Sequence, residues 1–220
     1  PGSCAACGRC AEVCPAQARE RVGRQIPADT LVASLLRDRS FFDSSGGGVT
    51  LSGGEIMAQE EGYVRSLLRL LRRQGVHIAV DTCGYAPWQR FERILPDVQV
   101  FLYDLKALDP EAHRRYTGVD NALILDNLRR LSDAGARVHL RVPVIPEINL
   151  GEMDAMANFV RREIRVERVH LLAYHRLGSD KRGRLGARDA ELFTEPGAET
   201  MRALAERWKR AGLDDIRIGG

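Results

Sequence analysis

From Gly48 onward, short apolar runs alternate with longer stretches in which apolar residues recur every three or four positions. The runs Gly48 to Leu51, His77 to Asp81, Val98 to Leu105, Val138 to Ile145 and Val169 to Tyr174 favour β-branched and aromatic residues and predict strands. Between and after them, Tyr63 to Gln74, Trp88 to Leu95, Ala122 to Ala134, Met153 to Glu163 and Glu199 to Ala211 carry helical spacing, and most end at Gly or Pro. This alternation predicts an α/β fold with a parallel sheet. The near-continuous apolar run Val98-Gln-Val-Phe-Leu-Tyr suits a sheet covered by helices, and right-handed crossovers curl five or more such units toward a barrel. Ahead of this repeat, Ile26 to Arg39 predicts a helix, and Cys4 to Gln17 is rich in cysteine and small residues.

With 220 residues, 44% of them apolar, the chain can bury one sizeable core. The expected division is a small module over residues 1–25 and an α/β unit over 26–220. The 33 basic and 30 acidic residues nearly cancel and are scattered, so nucleic acid is not an implied partner. No apolar run approaches the roughly 20 residues that span a bilayer, and no leader is legible, so the expectation is a cytoplasmic monomer without a membrane partner. The chain enters its cysteine run three residues after Pro1, which reads as an N-terminal truncation.

Cys4-Ala-Ala-Cys7-Gly-Arg-Cys10-Ala-Glu-Val-Cys14-Pro15 has the bacterial ferredoxin spacing, in which three close thiolates wrap one 4Fe-4S cluster and the fourth reaches a neighbour. A zinc knuckle or a disulfide pair is the bland alternative, but zinc sites use two separated pairs and disulfides need an oxidising compartment. Whether Cys14 serves the local cluster or a second one stays open. Cys83 has no cysteine neighbour and reads as a packed thiol.

Each predicted strand contributes a polar group at, within or just after it, and in βα folds the strand ends and following loops converge on one face. Ser44-Ser-Gly-Gly-Gly-Val-Thr-Leu-Ser-Gly-Gly-Glu55 sets a glycine-rich turn and a carboxylate after the first strand. There, backbone carbonyls and Glu55 can approach an ammonium. Asp81 and Thr82, Asp104 and Lys106, Arg141, and His175 follow in order. Singly these are a turn cap, a surface lysine, a salt-bridge partner and a core histidine. Together they offer carboxylates for an ammonium and ribose hydroxyls, with cations for a carboxylate, which suits an amino acid joined to a nucleoside.

The stretch Phe41 to Glu55 resembles the S-adenosylmethionine-binding segment of glycyl-radical-enzyme activating enzymes of the radical S-adenosylmethionine (SAM) class. The resemblance continues through Asp81-Thr-Cys-Gly-Tyr, Tyr103-Asp-Leu-Lys106, His113-Arg-Arg-Tyr-Thr-Gly, Leu140-Arg-Val-Pro-Val-Ile-Pro146, Leu171-Leu-Ala-Tyr-His175 and Ile216-Arg-Ile-Gly-Gly. It implies a partial (β/α)6 barrel lacking its first strand, with a remnant of a ferredoxin-like insertion at the N-terminus. It implies SAM contacts from Gly53, Gly54, Glu55, Asp104, Lys106, Arg141, Tyr174 and His175, a monovalent cation near Asp81 and Thr82, and 4Fe-4S ligation by Cys4, Cys7, Cys10 and Cys14. The implied reaction is reductive cleavage of SAM to place a radical on one glycine of a partner enzyme, with reduced flavodoxin or ferredoxin as electron donor. The auxiliary clusters would relay electrons or dock the partner.

Ile56, Ala173, Glu147 and Leu150 depart from residues usual in the family, and none removes a proposed ligand. The large departure is that no Cys-x3-Cys-x2-Cys occurs, so the chain as given is expected not to cleave SAM. A ferredoxin-type electron carrier on a βα scaffold and a radical SAM enzyme acting on a small molecule are the competing readings.

Overall fold

The computed structural model describes residue 5 and residues 7–19, 23–175 and 193–219. Six parallel strands form one sheet in the order of the chain: β1 Gly48–Leu51, β2 His77–Thr82, β3 Val100–Asp104, β4 Val138–Val144, β5 Arg168–Ala173 and β6 Ile216–Ile218. Five match the predicted strands to within two residues at either end. The sixth is a three-residue strand too short to announce itself by periodicity. Among the described residues the helices are α1 Arg9–Glu12, α2 Ala28–Leu35, α3 Arg39–Ser45, α4 Glu61–Arg73, α5 Trp88–Ile94, α6 Pro110–Thr117, α7 Ala122–Asp133, α8 Met153–Glu163 and α9 Ala198–Arg210. The single helix expected over Ile26 to Arg39 is broken by a 3-10 turn at Leu36–Asp38.

Local chemistry fixes these elements. Glu60 caps α4, its carboxylate accepting from Gly62 N (2.7 Å) and Tyr63 N (2.6 Å), while Arg72 and Arg73 face the negative end of the helix dipole. Val64, Leu67, Leu68 and Leu71 then form one buried stripe. Helix α6, which the apolar pattern did not predict, is set by polar punctuation: Asp109 as cap, Pro110 in the first turn and Gly118 in the left-handed region at the end.

A sheet that steps one way through right-handed crossovers puts its helices on one face only. Strand β4 shows the result: Val138, Leu140, Val142 and Val144 are wholly buried against helices, while His139, Arg141 and Pro143 are half-buried on the other face. The second face is mixed: Val100 and Leu102 of β3 are apolar there, while Asp104, His139 and Arg141 are polar. No helix among the described residues is long and apolar enough to cross a membrane.

Candidate functional site

The loop after β1 turns through Gly53 and Gly54, both at positive φ (87° and 61°), a conformation that side-chain-bearing residues rarely adopt. It delivers Glu55 to the end of β2. Glu55 Oε1 accepts from Met57 N (3.0 Å) and from the Thr82 hydroxyl (2.8 Å), and Oε2 accepts from Cys83 N (2.8 Å). The Cys83 side chain hydrogen-bonds Glu55 as well. The Thr82 hydroxyl also accepts from Gly84 N at 3.0 Å, tying the turn after β2 into the same cluster.

That turn is held from beneath. Gly84 has φ 79°, and a Cβ there would lie 1.8 Å from the Tyr103 hydroxyl oxygen, so only glycine fits. Tyr103 is wholly buried and donates to Ile124 O at 2.7 Å, and burial pushes its phenol well above the usual range. Asn127 of α7, also wholly buried, donates to Gly84 O (2.8 Å) and Ala86 O (2.7 Å).

On the open face, Asp81 accepts from the Ser52 hydroxyl (2.8 Å) and pairs with Arg141 Nη1 (2.7 Å). Arg141 Nε stands 3.6 Å from Asp104, and Lys106 Nζ stands 3.8 Å from the other Asp104 oxygen. Register explains the convergence: Asp104 and Arg141 are partners across β3 and β4, so their side chains share a face. Burial pushes the Asp104 carboxyl up, against the pull of Arg141 and Lys106. Burial, and secondarily Glu55, likewise push the Cys83 thiol up.

Gly54, Glu55, Asp81, Thr82, Asp104, Lys106 and Arg141 line one cavity of about 240 Å³, joined by Ser52 and Cys83. Three carboxylates there face two cations, so the cavity favours a ligand with net positive charge. Asp81 and Thr82 point to opposite faces of β2, Asp81 toward Arg141 and Thr82 beneath the loop. Gly53, Tyr174 and His175 lie outside the cavity lining. The Tyr174 ring packs edge-on against Phe193 (centroids 5.8 Å apart), and His175 is exposed.

Cys4 lies outside the described residues. Cys7 and Cys10 are exposed free thiols and Cys14 is partly covered. Among the described residues no three His, Cys, Asp or Glu side chains converge as a metal site. The sequence reading missed Ser52, Tyr103 and Asn127. Ser52 stands one residue before the Gly-Gly-Glu turn and Tyr103 opens the Tyr-Asp-Leu-Lys motif, whereas Asn127 carried no signal.

The family model described as the radical SAM superfamily matches residues 3–160. The trans-4-hydroxy-L-proline dehydratase activating enzyme of Clostridioides difficile is 35% identical over 208 residues, covering 92% of this chain and 68% of that protein. The isethionate sulfite-lyase activating enzyme of Oleidesulfovibrio alaskensis is 43% identical over 182 residues, covering 81% of this chain and 58% of that protein. A solved domain of a pyruvate-formate lyase-activating enzyme from Bacteroides vulgatus superposes with a TM-score of 0.67 at 30% identity, covering 80% of this chain and 100% of that one. Matched over most of its length in both sequence and fold, the chain belongs to the radical SAM superfamily, among the activating enzymes of glycyl-radical enzymes.

Proposed function

We propose that this chain forms the SAM-holding barrel of an activating enzyme that generates a radical on a glycine of a partner enzyme. The observation that carries the reading is the cavity at the ends of β1 to β4, with Glu55, Asp81 and Asp104 set against Lys106 and Arg141. SAM bears an ammonium, a sulfonium and a carboxylate, a net positive charge that complements this set. The cavity of about 240 Å³ is smaller than the 300 Å³ or more of most ligand pockets. It suits the methionine end, with the nucleoside laid along the open face toward Tyr174 and His175.

In this reading Gly53, Gly54 and Glu55 face the ammonium, and Asp104 and Lys106 take the ribose and carboxylate side. Arg141 lies near the ligand and the incoming substrate peptide, and Asp81 with Thr82 borders a monovalent cation. The electron for SAM cleavage would come from the 4Fe-4S cluster that the family implies. The residues present do not supply ligands for it, because no Cys-x3-Cys-x2-Cys occurs in the sequence. Cys7, Cys10 and Cys14, with Cys4, fit an auxiliary cluster by spacing and donor chemistry. Reduced flavodoxin or ferredoxin is the proposed donor. The protein's own work is positioning: it holds one reactive carbon against one backbone C–H and keeps water away.

The test is iron content and release of 5′-deoxyadenosine by the full-length protein, assayed anaerobically with dithionite and SAM. Product formation that falls at least tenfold in Lys106→Ala supports the reading. Cluster binding with no SAM affinity would instead make the protein an electron carrier.

A further inference from the structure

The β3–β4 ladder ends at the site for a covalent reason. Leu105 N donates to Arg141 O at 2.9 Å, and the next bond of a parallel ladder would run from the N–H of residue 143 to Leu105 O. Residue 143 is proline and has no N–H, so the paired register ends at Asp104 and Arg141. Beyond that point two acceptors, Lys106 O and Pro143 O, need partners where the strands carrying the site's cations part. Both are supplied by one side chain. Asn149, wholly buried in the loop after β4, donates through Nδ2 to Lys106 O (2.7 Å) and Pro143 O (2.6 Å). Its Oδ1 accepts from Ile145 N at 2.9 Å.

We propose that Asn149 is a positioning residue that, where the ladder has ended, fixes the backbone of Lys106 against the strand of Arg141. This deepens the SAM-site reading and rests on it. The amide has its donors and its acceptor all committed to backbone, and no other natural side chain of that size presents two N–H donors beside an acceptor. Aspartate keeps the bond from Ile145 but sets a negative charge against two carbonyls. The neighbouring segment is pinned as well: Asn121 donates to Ala107 O and Leu108 O, and Glu152 accepts from the N–H groups of Leu108 and Asp109. Lys106 is thus the only side chain of this frame that reaches the cavity.

The test measures SAM dissociation constants and melting temperatures on the reconstituted full-length protein. The variants are Asn149→Ala, Asn149→Asp, Lys106→Ala and the Asn149→Ala/Lys106→Ala pair. Ser132→Ala, which removes a buried acceptor for Arg165 N at the far end of the sheet, controls for plain destabilisation. The expected result is an affinity loss of about tenfold in Asn149→Ala, none in Ser132→Ala, and less than twofold further loss when Asn149→Ala is added to Lys106→Ala. Multiplying effects in the pair, or unchanged affinity in Asn149→Ala, overturn the inference alone. Unchanged affinity in Lys106→Ala overturns the site reading and the inference with it. Should Asn149→Ala not fold, adding Pro143→Ala supplies an N–H for Leu105 O and leaves Lys106 O without its donor. Asn149→Ala made in that background should then fold yet still bind SAM weakly, and full affinity there also overturns the inference.

Discussion

Glu55→Gln separates two roles that a carboxylate in this position can have. In the structure it accepts hydrogen bonds from Met57 N, the Thr82 hydroxyl and Cys83 N. An amide has one acceptor oxygen. If that oxygen keeps Met57 and Thr82, the NH2 meets the Cys83 N–H donor to donor. In the flipped orientation Met57 N loses its partner, and the Thr82 hydroxyl, already an acceptor for Gly84 N, must reverse. Either way one part-buried N–H is orphaned, at about 1–3 kcal/mol, and the surviving bonds lose charge assistance worth about 0.5–1 kcal/mol each. The total is about 3 kcal/mol, which for a chain of this size is a fall in melting temperature of about 6–12 °C. Far-UV circular dichroism on thermal unfolding without SAM reads this directly, because ligand linkage is then absent. A melting temperature within about 1 °C of the parent, with SAM affinity lost, would refute the reasoning. The carboxylate would then serve the ligand and not the loop.

Asp104→Asn should weaken SAM binding without lowering the melting temperature at pH 7. Burial raises this carboxyl's pKa in the folded state, so its charge costs stability as pH rises from about 3.9 through the raised value and at all pH above it; the gain in the variant should vanish near pH 3. Asn127→Ala removes two buried donors from Gly84 O and Ala86 O and should cost about 2–4 kcal/mol, read as a shifted urea midpoint at unchanged slope. Glu167, whose carboxyl is held down at about 2 chiefly by the Arg137 guanidinium, contributes stability above the ordinary carboxylate range that is lost as pH falls toward that value. The pair is half-exposed, so Arg137→Ala should cost less than about 1 kcal/mol at pH 7, and the difference should close near pH 2.

The fold was legible where a single period governed a segment. Strands β1 to β5 and the longer helices bury continuous apolar faces, as the Val64 to Leu71 stripe and the four buried valines and leucines of β4 show. It was illegible where polar chemistry set the element. Helix α6 has one buried residue, His113, and rests on its cap, its proline and its closing glycine. Strand β6 spans three residues and exists by pairing with β5.

The site divides along the same line. Charged residues at a strand end, such as Asp81 and Asp104, could be read as a set with Arg141 inside the next strand, because parallel strands bring their ends together. The residues that hold them could not, since a buried amide at Asn127 or Asn149 has no period and no charge to mark it. Its meaning lies in which carbonyl it meets, 43 residues back in the case of Asn149 and Lys106. Pro143 shows the consequence most clearly. Read as sequence it lies inside the strand Val138 to Ile145; in the structure its missing N–H ends the β3–β4 ladder beside the cavity, and Asn149 spans the two strands beyond that point through Lys106 O and Pro143 O. The end of the ladder and the side chain that joins the strands past it are therefore one feature, and neither is interpretable without the other.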